Sequence, residues 1–316
     1  MQRVEFDTKL ERYSINEDEF LLFRDYIIEN CGISIPPEKA YLIETRLTKL
    51  MFDVGAESFG EFHKYIVANP NSPVHKKIIN AITTNETLWF RDVLPWKALE
   101  EIYLPQFIEE LLSGRKARVR IWSAAVSTGQ EIYSTVMCID DYLKKNNIKG
   151  IDLSNFDFFA TDISNNVLDI AKKGRYDKIS IMRGLDNYYK ERYFTQSGSA
   201  WDIDPKIRSA VRFENFNLQK NYHSFGLFDV IFCRYVLIYF SDTSKKDIVT
   251  KMNNTLADGG VLFTGNYILY DLFKDGFDVG HYDNLTYYTK GNREQENSEF
   301  GIRNSEFGMR VTSNSP

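Results

Sequence analysis

The chain has 316 residues, 43% of them hydrophobic, 26% charged and 15% aromatic, with a formal net charge of −5. That length carries one large domain or two ordinary ones, and the balance is that of a globular protein. The acidic excess argues against a general nucleic-acid binder, whose footprint is basic, and Cys31, Cys138 and Cys233 have neither zinc nor disulfide-framework spacing.

The start, MQRVEFDTKLERYS, is charged and lacks the apolar core of a signal peptide. No uncharged apolar run approaches the ~18 residues needed to span a bilayer, and the cysteine usage makes a reducing cytoplasm the expected location. Residues 17–83 read as helices. EDEFLLFRDYIIEN places Phe20, Phe23, Ile27 and Ile28 on one stripe at helical period, and Cys31-Gly32 ends it. Pro36-Pro37 opens EKAYLIETRLTKLMFD, proline being tolerated at a helix start. Its apolar side is Leu42, Ile43, Leu47, Leu50 and Met51, and Lys39, Arg46 and Lys49 share a polar face. SFGEFHKYIVA and VHKKIINAI are two further helices. No strand is evident before residue 118, so residues 1–90 are expected to form an all-helical domain.

From 118 the pattern alternates. Strands are expected at 117–125, 156–162, 211–218, 228–234 and 259–265, with helices at 130–145, 165–174 and 243–257. FDVIFCR is apolar enough to be buried on both faces. Strands alternating with helices predict an α/β fold with a doubly wound, mostly parallel sheet. FDVGHY and NLTYYTK predict an antiparallel hairpin on its edge. Residues 176–210 interrupt the alternation and are too long for a simple connection, so a small inserted β subdomain is expected there. The sheet domain is thus expected over 91–290. Residues 291–316 are polar and carry NSEFGIR followed by NSEFGMR, a low-complexity tail expected to be disordered.

In a doubly wound sheet, ligands bind at the carboxyl ends of the strands near the switch point. The first strand delivers WSAAVSTGQEIYS there, with a single glycine, Gly129. Small residues let a ligand approach the backbone. The second strand ends in Asp162, a position suited to a ribose diol or, alternatively, to capping the next helix. The third ends in Asn217-Leu218, suited to the edge and face of an adenine. The fourth ends in Arg234-Tyr235, where the arginine suits a ligand or a structural ion pair. Trp122 and Tyr133 read as core. A dinucleotide needs a glycine-rich turn to pack its pyrophosphate on the helix start. S-adenosylmethionine has no phosphate, so one glycine with a strand-two carboxylate fits it better.

TTNETLWFR, WSAAVSTGQEIYS, ATDIS, NFNL and FCRYVLIYF occur in this order and spacing. Together they resemble the chemotaxis receptor methyltransferases, the CheR family, over residues 15–290. The resemblance implies a Rossmann-like class I methyltransferase sheet behind the helical domain. It implies methyl transfer from S-adenosylmethionine to glutamate side chains of membrane chemoreceptors, giving methyl esters and S-adenosylhomocysteine, with no metal. By matched position, Asn85, Thr87, Arg91, Ala124, Gln130, Glu131, Asp162, Asn217, Leu218, Arg234 and Tyr235 are implied in the cofactor pocket. Arg91, Arg234 and Tyr239 are implied at the catalytic face, and Lys39, Arg46 and Lys49 in reading the receptor, although they also suit a solvated helix face. The β subdomain is implied as the place where a receptor-tail peptide adds a strand. A monomer recruited to membrane receptor arrays is expected, with no nucleic-acid partner.

The acceptor glutamate is ionised at neutral pH, its unperturbed pKa being ~4.3, so no general base is required. Catalysis is mainly positioning, and Arg91 or Arg234 can steer the carboxylate by a charge-assisted pair. Two departures stand out. Gln130 stands where the family usually has Glu, and Tyr235 where it usually has Asn. They open the alternative of a binding module that uses the cofactor or its product as a regulatory ligand. A nucleic-acid methyltransferase is disfavoured by the acidic balance and by Arg-Tyr-Val-Leu after the fourth strand, where an Asn/Asp-Pro-Pro-Tyr/Phe motif would stand.

Overall fold

The computed structural model describes residues 14–265 and 276–291; the repeats of the polar tail lie outside them. The described chain opens with α1 (Glu17–Cys31), α2 (Tyr41–Asp53), α3 (Phe59–Ala68) and α4 (Val74–Ile82). A capping box starts α1: Asn16 Oδ1 accepts from the Glu19 N–H at 2.9 Å, and the Glu19 carboxylate accepts from the Asn16 N–H at 3.2 Å. Gly32, at φ +75°, ends it. Phe20, Phe23 and Ile27 are buried as the stripe predicts, but Ile28 is half-buried and Cys31, one turn beyond Ile27, completes the face. Pro36-Pro37 opens a 3₁₀ turn over Pro37–Lys39, and α2 begins only at Tyr41. Pro36 itself is extended because a following proline disfavours the helical region. Ile43, Leu47, Phe59, Phe62 and Ile78 close this helical core, each burial contributing roughly 1.5–3 kcal/mol.

After α5 (Leu94–Ala98), a π-helical turn and α6 (Leu104–Leu112), the chain enters a seven-stranded sheet of order β6-β2-β1-β7-β8-β10-β9. The strands are β1 (Val119–Ala124), β2 (Phe156–Asp162), β6 (Val211–Asn215), β7 (Phe228–Phe232) and β8 (Leu256–Phe263), all parallel, with β9 (Asp278–Tyr282) and β10 (Leu285–Thr289) antiparallel at one edge. Crossovers run through α7 (Gln130–Lys145), α8 (Asn165–Lys173) and α12 (Asp242–Thr255). The sheet is the doubly wound, Rossmann-like one expected, with its closing hairpin. Side chains alternate across β1, so Ile121 joins Val136, Ile139 and Phe232 on one face while Trp122 joins Phe159, Phe228 and Ile248 on the other. Strand order reverses between β1 and β7, which opens a crevice at their carboxyl ends. Several strand ends differ from expectation: β7 stops at Phe232, leaving Arg234 and Tyr235 in the loop beyond it, and β8 spans Leu256–Phe263 where 259–265 was expected. β6 stops at Asn215, so Asn217 and Leu218 lie in the loop beyond it.

The insert between α8 and β6 is a three-stranded antiparallel sheet of order β3-β5-β4, formed by β3 (Arg175–Asp177), β4 (Phe194–Ser197) and β5 (Ala200–Ile203). Short helices α9 (Lys178–Met182), α10 (Asn187–Tyr193) and α11 (Pro205–Ser209) complete it. It docks on α7 through two buried carboxylates. Asp140 accepts from the Tyr193 hydroxyl at 2.8 Å and pairs with Lys206 at 3.2 Å, while Asp141 accepts from Tyr188 at 2.6 Å. The end of α1 seats on the sheet domain: Ser34 N–H donates to Tyr239 O at 2.8 Å and Asn217 Nδ2 to Asn30 O at 2.9 Å. A Cβ on Gly32 would lie 2.6 Å from the Phe240 ring, so this seam requires glycine. Among the described residues, no helix is long and apolar enough to cross a membrane.

Candidate functional site

The loop after β1 turns through Ala125 and Ser127 at φ +64° and +54°, then Gly129 at +98°. Its backbone is held by the end of β2: Val126 N–H donates to Thr161 O and Ser127 N–H to Asp162 Oδ2, both at 2.9 Å. Ser127 Oγ donates to Asn85 O at 2.9 Å, which brings the segment after α4 across the loop. A Cβ on Gly129 would meet Ala171 and Tyr133 at 3.0 Å and the Tyr176 hydroxyl at 3.1 Å. The single glycine therefore serves the close packing of α7, α8 and the insert, not the approach of a phosphate.

Beside this loop lies a cleft lined by Asn85, Asp162, Asn217, Leu218, Arg234 and Tyr239, among others. It continues past Ala125, Ser127 and Tyr235 into a smaller recess with Thr87, Arg91 and Glu131. The family-implied residues thus converge from five separate segments, with two exceptions. Ala124 is buried under the loop. Gln130 is 4% exposed and its amide oxygen accepts from the Thr128 hydroxyl at 2.7 Å, so its side chain is tied within the turn and lines neither space. Lys39 and Arg46 line an adjoining groove with Leu42 and Ile238, which shares Thr84 and Tyr239 with the cleft. Lys49 is exposed on α2 outside that groove. Arg46 also donates to Ile82 O at 2.5 Å, fixing α2 to the crossing segment.

Asp162 does not cap α8, whose N-cap is Ser164 with no side-chain cap bond. The Asp162 oxygens accept from the Ser127 and Ser164 N–H groups at 2.9 Å, and it faces the cleft. Burial pushes its carboxyl up, opposed by the N–H groups of Ser164, Ser127 and Ile163. The two arginines differ sharply. Arg234 has a side chain 1% exposed; it pairs with Glu131 at 3.1 Å and Asp92 at 2.6 Å and donates to Arg91 O at 2.5 Å. Its Nε is buried without a hydrogen-bond partner. Arg91 lies over the Tyr235 ring, 3.6 Å from its centroid, and makes one long hydrogen bond, 3.5 Å, to Glu86 O. Glu131 also accepts from Ser123 Oγ at 2.8 Å; burial pushes its carboxyl up, against the pull of Arg234 and Ser123.

Six of the eight non-glycine residues at positive φ among those described are Phe90, Asp92, Val93, Ala125, Ser127 and Tyr235. Strain gathered in one place is the mark of a functional site. The insert holds part of it in position. Trp89, 1% exposed, packs edge-on against Tyr176 and Phe194 at 4.9 and 5.2 Å and donates Nε1–H to Ser180 O at 2.9 Å. A Cβ on Gly184 would lie 2.4 Å from Trp89 O.

Sequence reasoning missed Asp92, and it missed Cys31 and Ile33, which reach the cleft from the end of α1. Asp92 carried a local signal, standing directly after the matched arginine; Cys31 and Ile33 carried none. Asp162 in the cleft and Glu131 in the adjoining recess suit hydroxyl and cationic groups, and the Arg91 edge suits a carboxylate.

Residues 85–269 match the family described as CheR methyltransferase, SAM binding domain, and residues 18–83 that described as CheR methyltransferase, all-alpha domain. The chain is 42% identical over 248 residues to chemotaxis protein methyltransferase Cher2 of Pseudomonas putida, covering 78% of this chain and 88% of that one. Chemotaxis protein methyltransferase 1 of Pseudomonas aeruginosa matches with the same identity and coverage. The chemotaxis protein methyltransferase of Vibrio anguillarum is 35% identical over 253 residues, 80% of this chain and 89% of that one. With its helical N-terminal unit, its class I methyltransferase sheet and these matches along most of its length, the chain belongs to the CheR methyltransferase family.

Proposed function

We propose that this chain transfers a methyl group from S-adenosylmethionine to glutamate side chains of membrane chemoreceptors, leaving S-adenosylhomocysteine. The observation that carries this reading is the cleft itself, lined by Asp162, Asn217 and Leu218 and continuing into the Arg91–Tyr235–Glu131 recess, in a chain of this family. The donor set fits the cofactor: Asp162 suits the ribose hydroxyls, Asn217 and Leu218 the adenine, and Arg91, Thr87 and Glu131 the charged amino-acid end. When bound, the cofactor supplies a methyl group on a positively charged sulfur.

The residues of this chain then orient and shield. Arg234 is consumed in holding Glu131, Asp92 and the Arg91 backbone, so it positions the recess rather than gripping an acceptor. Arg91 keeps donors available to steer a carboxylate without quenching it. Tyr239 stands where the cleft meets the groove bearing Lys39 and Arg46, the route proposed for the acceptor side chain. Residues 1–90 form the receptor-facing unit, with Lys39, Arg46 and Lys49 toward the receptor, and 91–290 the catalytic domain. The protein works as a cytoplasmic monomer recruited to receptor arrays, and the free edges of the insert's sheet suit a receptor-tail strand.

The test is transfer of labelled methyl groups to receptor-bearing membranes as base-labile ester. Arg91→Ala should lose roughly a hundredfold in kcat/KM. A wild-type protein that binds S-adenosylmethionine in calorimetry yet leaves its cognate receptors unlabelled refutes the proposal and supports a regulatory binding module.

A further inference from the structure

Tyr235 is held in an arrangement built around it. Its backbone sits at φ +57°, a region that a bulky side chain rarely adopts and that asparagine tolerates. One face of its ring carries the Arg91 guanidinium at 3.6 Å. Gly265, at φ +80°, lies against the same ring, and a Cβ there would approach it to 3.1 Å. The hydroxyl donates to Asp92 Oδ2, which also accepts from Arg234 Nη2 at 2.6 Å. Asp92 is itself at φ +70°. Two strained residues and one glycine thus converge on the placement of a single ring.

The placement has a consequence for Arg91. A guanidinium stacked by its face keeps all its N–H donors in the plane of the group, at the rim of the stack. Among the described residues no carboxylate pairs with Arg91, whereas Asp92 and Glu131 both pair with its neighbour Arg234. Arg234 is tied up by two carboxylates, whereas Arg91 lies over the ring with no ion pair among the described residues, only a longer-range attraction to Glu131, at the edge of the recess that also contains Thr87.

We propose that Tyr235, anchored by Asp92, is a positioning residue that presents the Arg91 edge to a carboxylate. The proposal rests on the methyltransferase reading of this cleft. The carboxylate has two sources, the acceptor glutamate and the amino-acid end of the cofactor, and one set of variants separates them. Tyr235→Phe keeps the stack and removes the hydroxyl; Tyr235→Asn removes both and relieves the backbone. Calorimetry with S-adenosylhomocysteine and with 5′-methylthioadenosine, which has the same nucleoside but no carboxylate, reads the cofactor arm. Receptor KM and kcat at saturating S-adenosylmethionine read the acceptor arm.

Tyr235→Asn should lose roughly five- to tenfold, the loss expected of a half-buried cation–ring contact. The loss falls in S-adenosylhomocysteine affinity, with methylthioadenosine unchanged, if the cofactor supplies the carboxylate, and in receptor KM if the acceptor does. Tyr235→Phe, which keeps the ring but loses the Asp92 anchor, should fall between wild type and Tyr235→Asn, and Tyr235→Asn should melt no lower than wild type. The proposal is overturned if Tyr235→Asn stays within twofold of wild type in both arms, if both nucleosides weaken together with a falling melting temperature, or if Tyr235→Phe loses as much as Tyr235→Asn. Wild type that binds S-adenosylhomocysteine but never labels receptors sinks the proposed activity alone, and calorimetry then decides the role of Tyr235.

Discussion

Gly129→Ala tests what the lone glycine of WSAAVSTGQEIYS is for. At φ +98° an alanine meets the backbone penalty of an L-residue outside its favoured regions, about 1–2 kcal/mol. Its methyl would also press on Ala171, Tyr133 and Tyr176 at 3.0–3.1 Å, and all three are buried. Overpacking a dense core costs a further ~1–3 kcal/mol, for a total of about 2–5 kcal/mol. At roughly 2–4 °C per kcal/mol for a domain of this size, the melting temperature should fall by about 4–20 °C. Gly198→Ala separates the two contributions, because that turn glycine has φ +65° and nothing within 4 Å of its Cβ. Thermal unfolding with and without S-adenosylhomocysteine measures both variants. If Gly129→Ala loses no more than Gly198→Ala, the argument that this glycine exists for helix and insert packing is wrong.

Trp89→Ala should destabilise the protein by about 3–5 kcal/mol. It should also weaken S-adenosylhomocysteine binding, because the insert holds Trp89 and thereby the segment bearing Thr87 and Arg91; unchanged affinity in the folded variant would refute that coupling. Arg234→Ala leaves Glu131 and Asp92 without their partner, and a denaturant midpoint should report a loss of about 3–5 kcal/mol; a loss below about 1 kcal/mol would mean the triad is not structural. Asp140 is pushed up by burial, but Lys144, Tyr193 and Lys206 together hold its carboxyl below its ordinary value. A depressed folded-state pKa adds stability that is fully present above the unfolded value, about 3.9, and is lost as pH falls through the folded one. The stability difference between wild type and Asp140→Asn should therefore be flat from pH 7 to 5 and shrink below about pH 4; a difference that grows on acidification would reverse the sign.

The alternation of apolar runs was enough to read the parallel sheet, because each βαβ unit is a local pattern of fixed period. The edge hairpin and the insert were legible too: NLTYYTK is rich in the threonine and tyrosine that strands favour, and 176–210 breaks a rhythm. Asp162 was legible from its place at a strand end, and Asn85 and Arg91 only through the resemblance to the CheR family, position by position. The reading of Gln130 as a ligand contact failed because a side chain at a helix start has a choice of partners, and here the hydroxyl two residues earlier, Thr128, takes it.

What the chain order determined by itself is the set of elements and the residues delivered to their carboxyl ends. What only the folded protein decided is how those residues divide their bonds. Arg234 and Arg91 look alike in sequence; burial beside Glu131 and Asp92 neutralises one, and a tyrosine face holds the other with its edge open. Cys31 and Ile33 reach the cleft because α1 docks through bonds such as Asn217 to Asn30, across 187 residues of chain. Such contacts follow from burying two independent cores against each other, and neither helical nor strand periodicity records which surfaces meet.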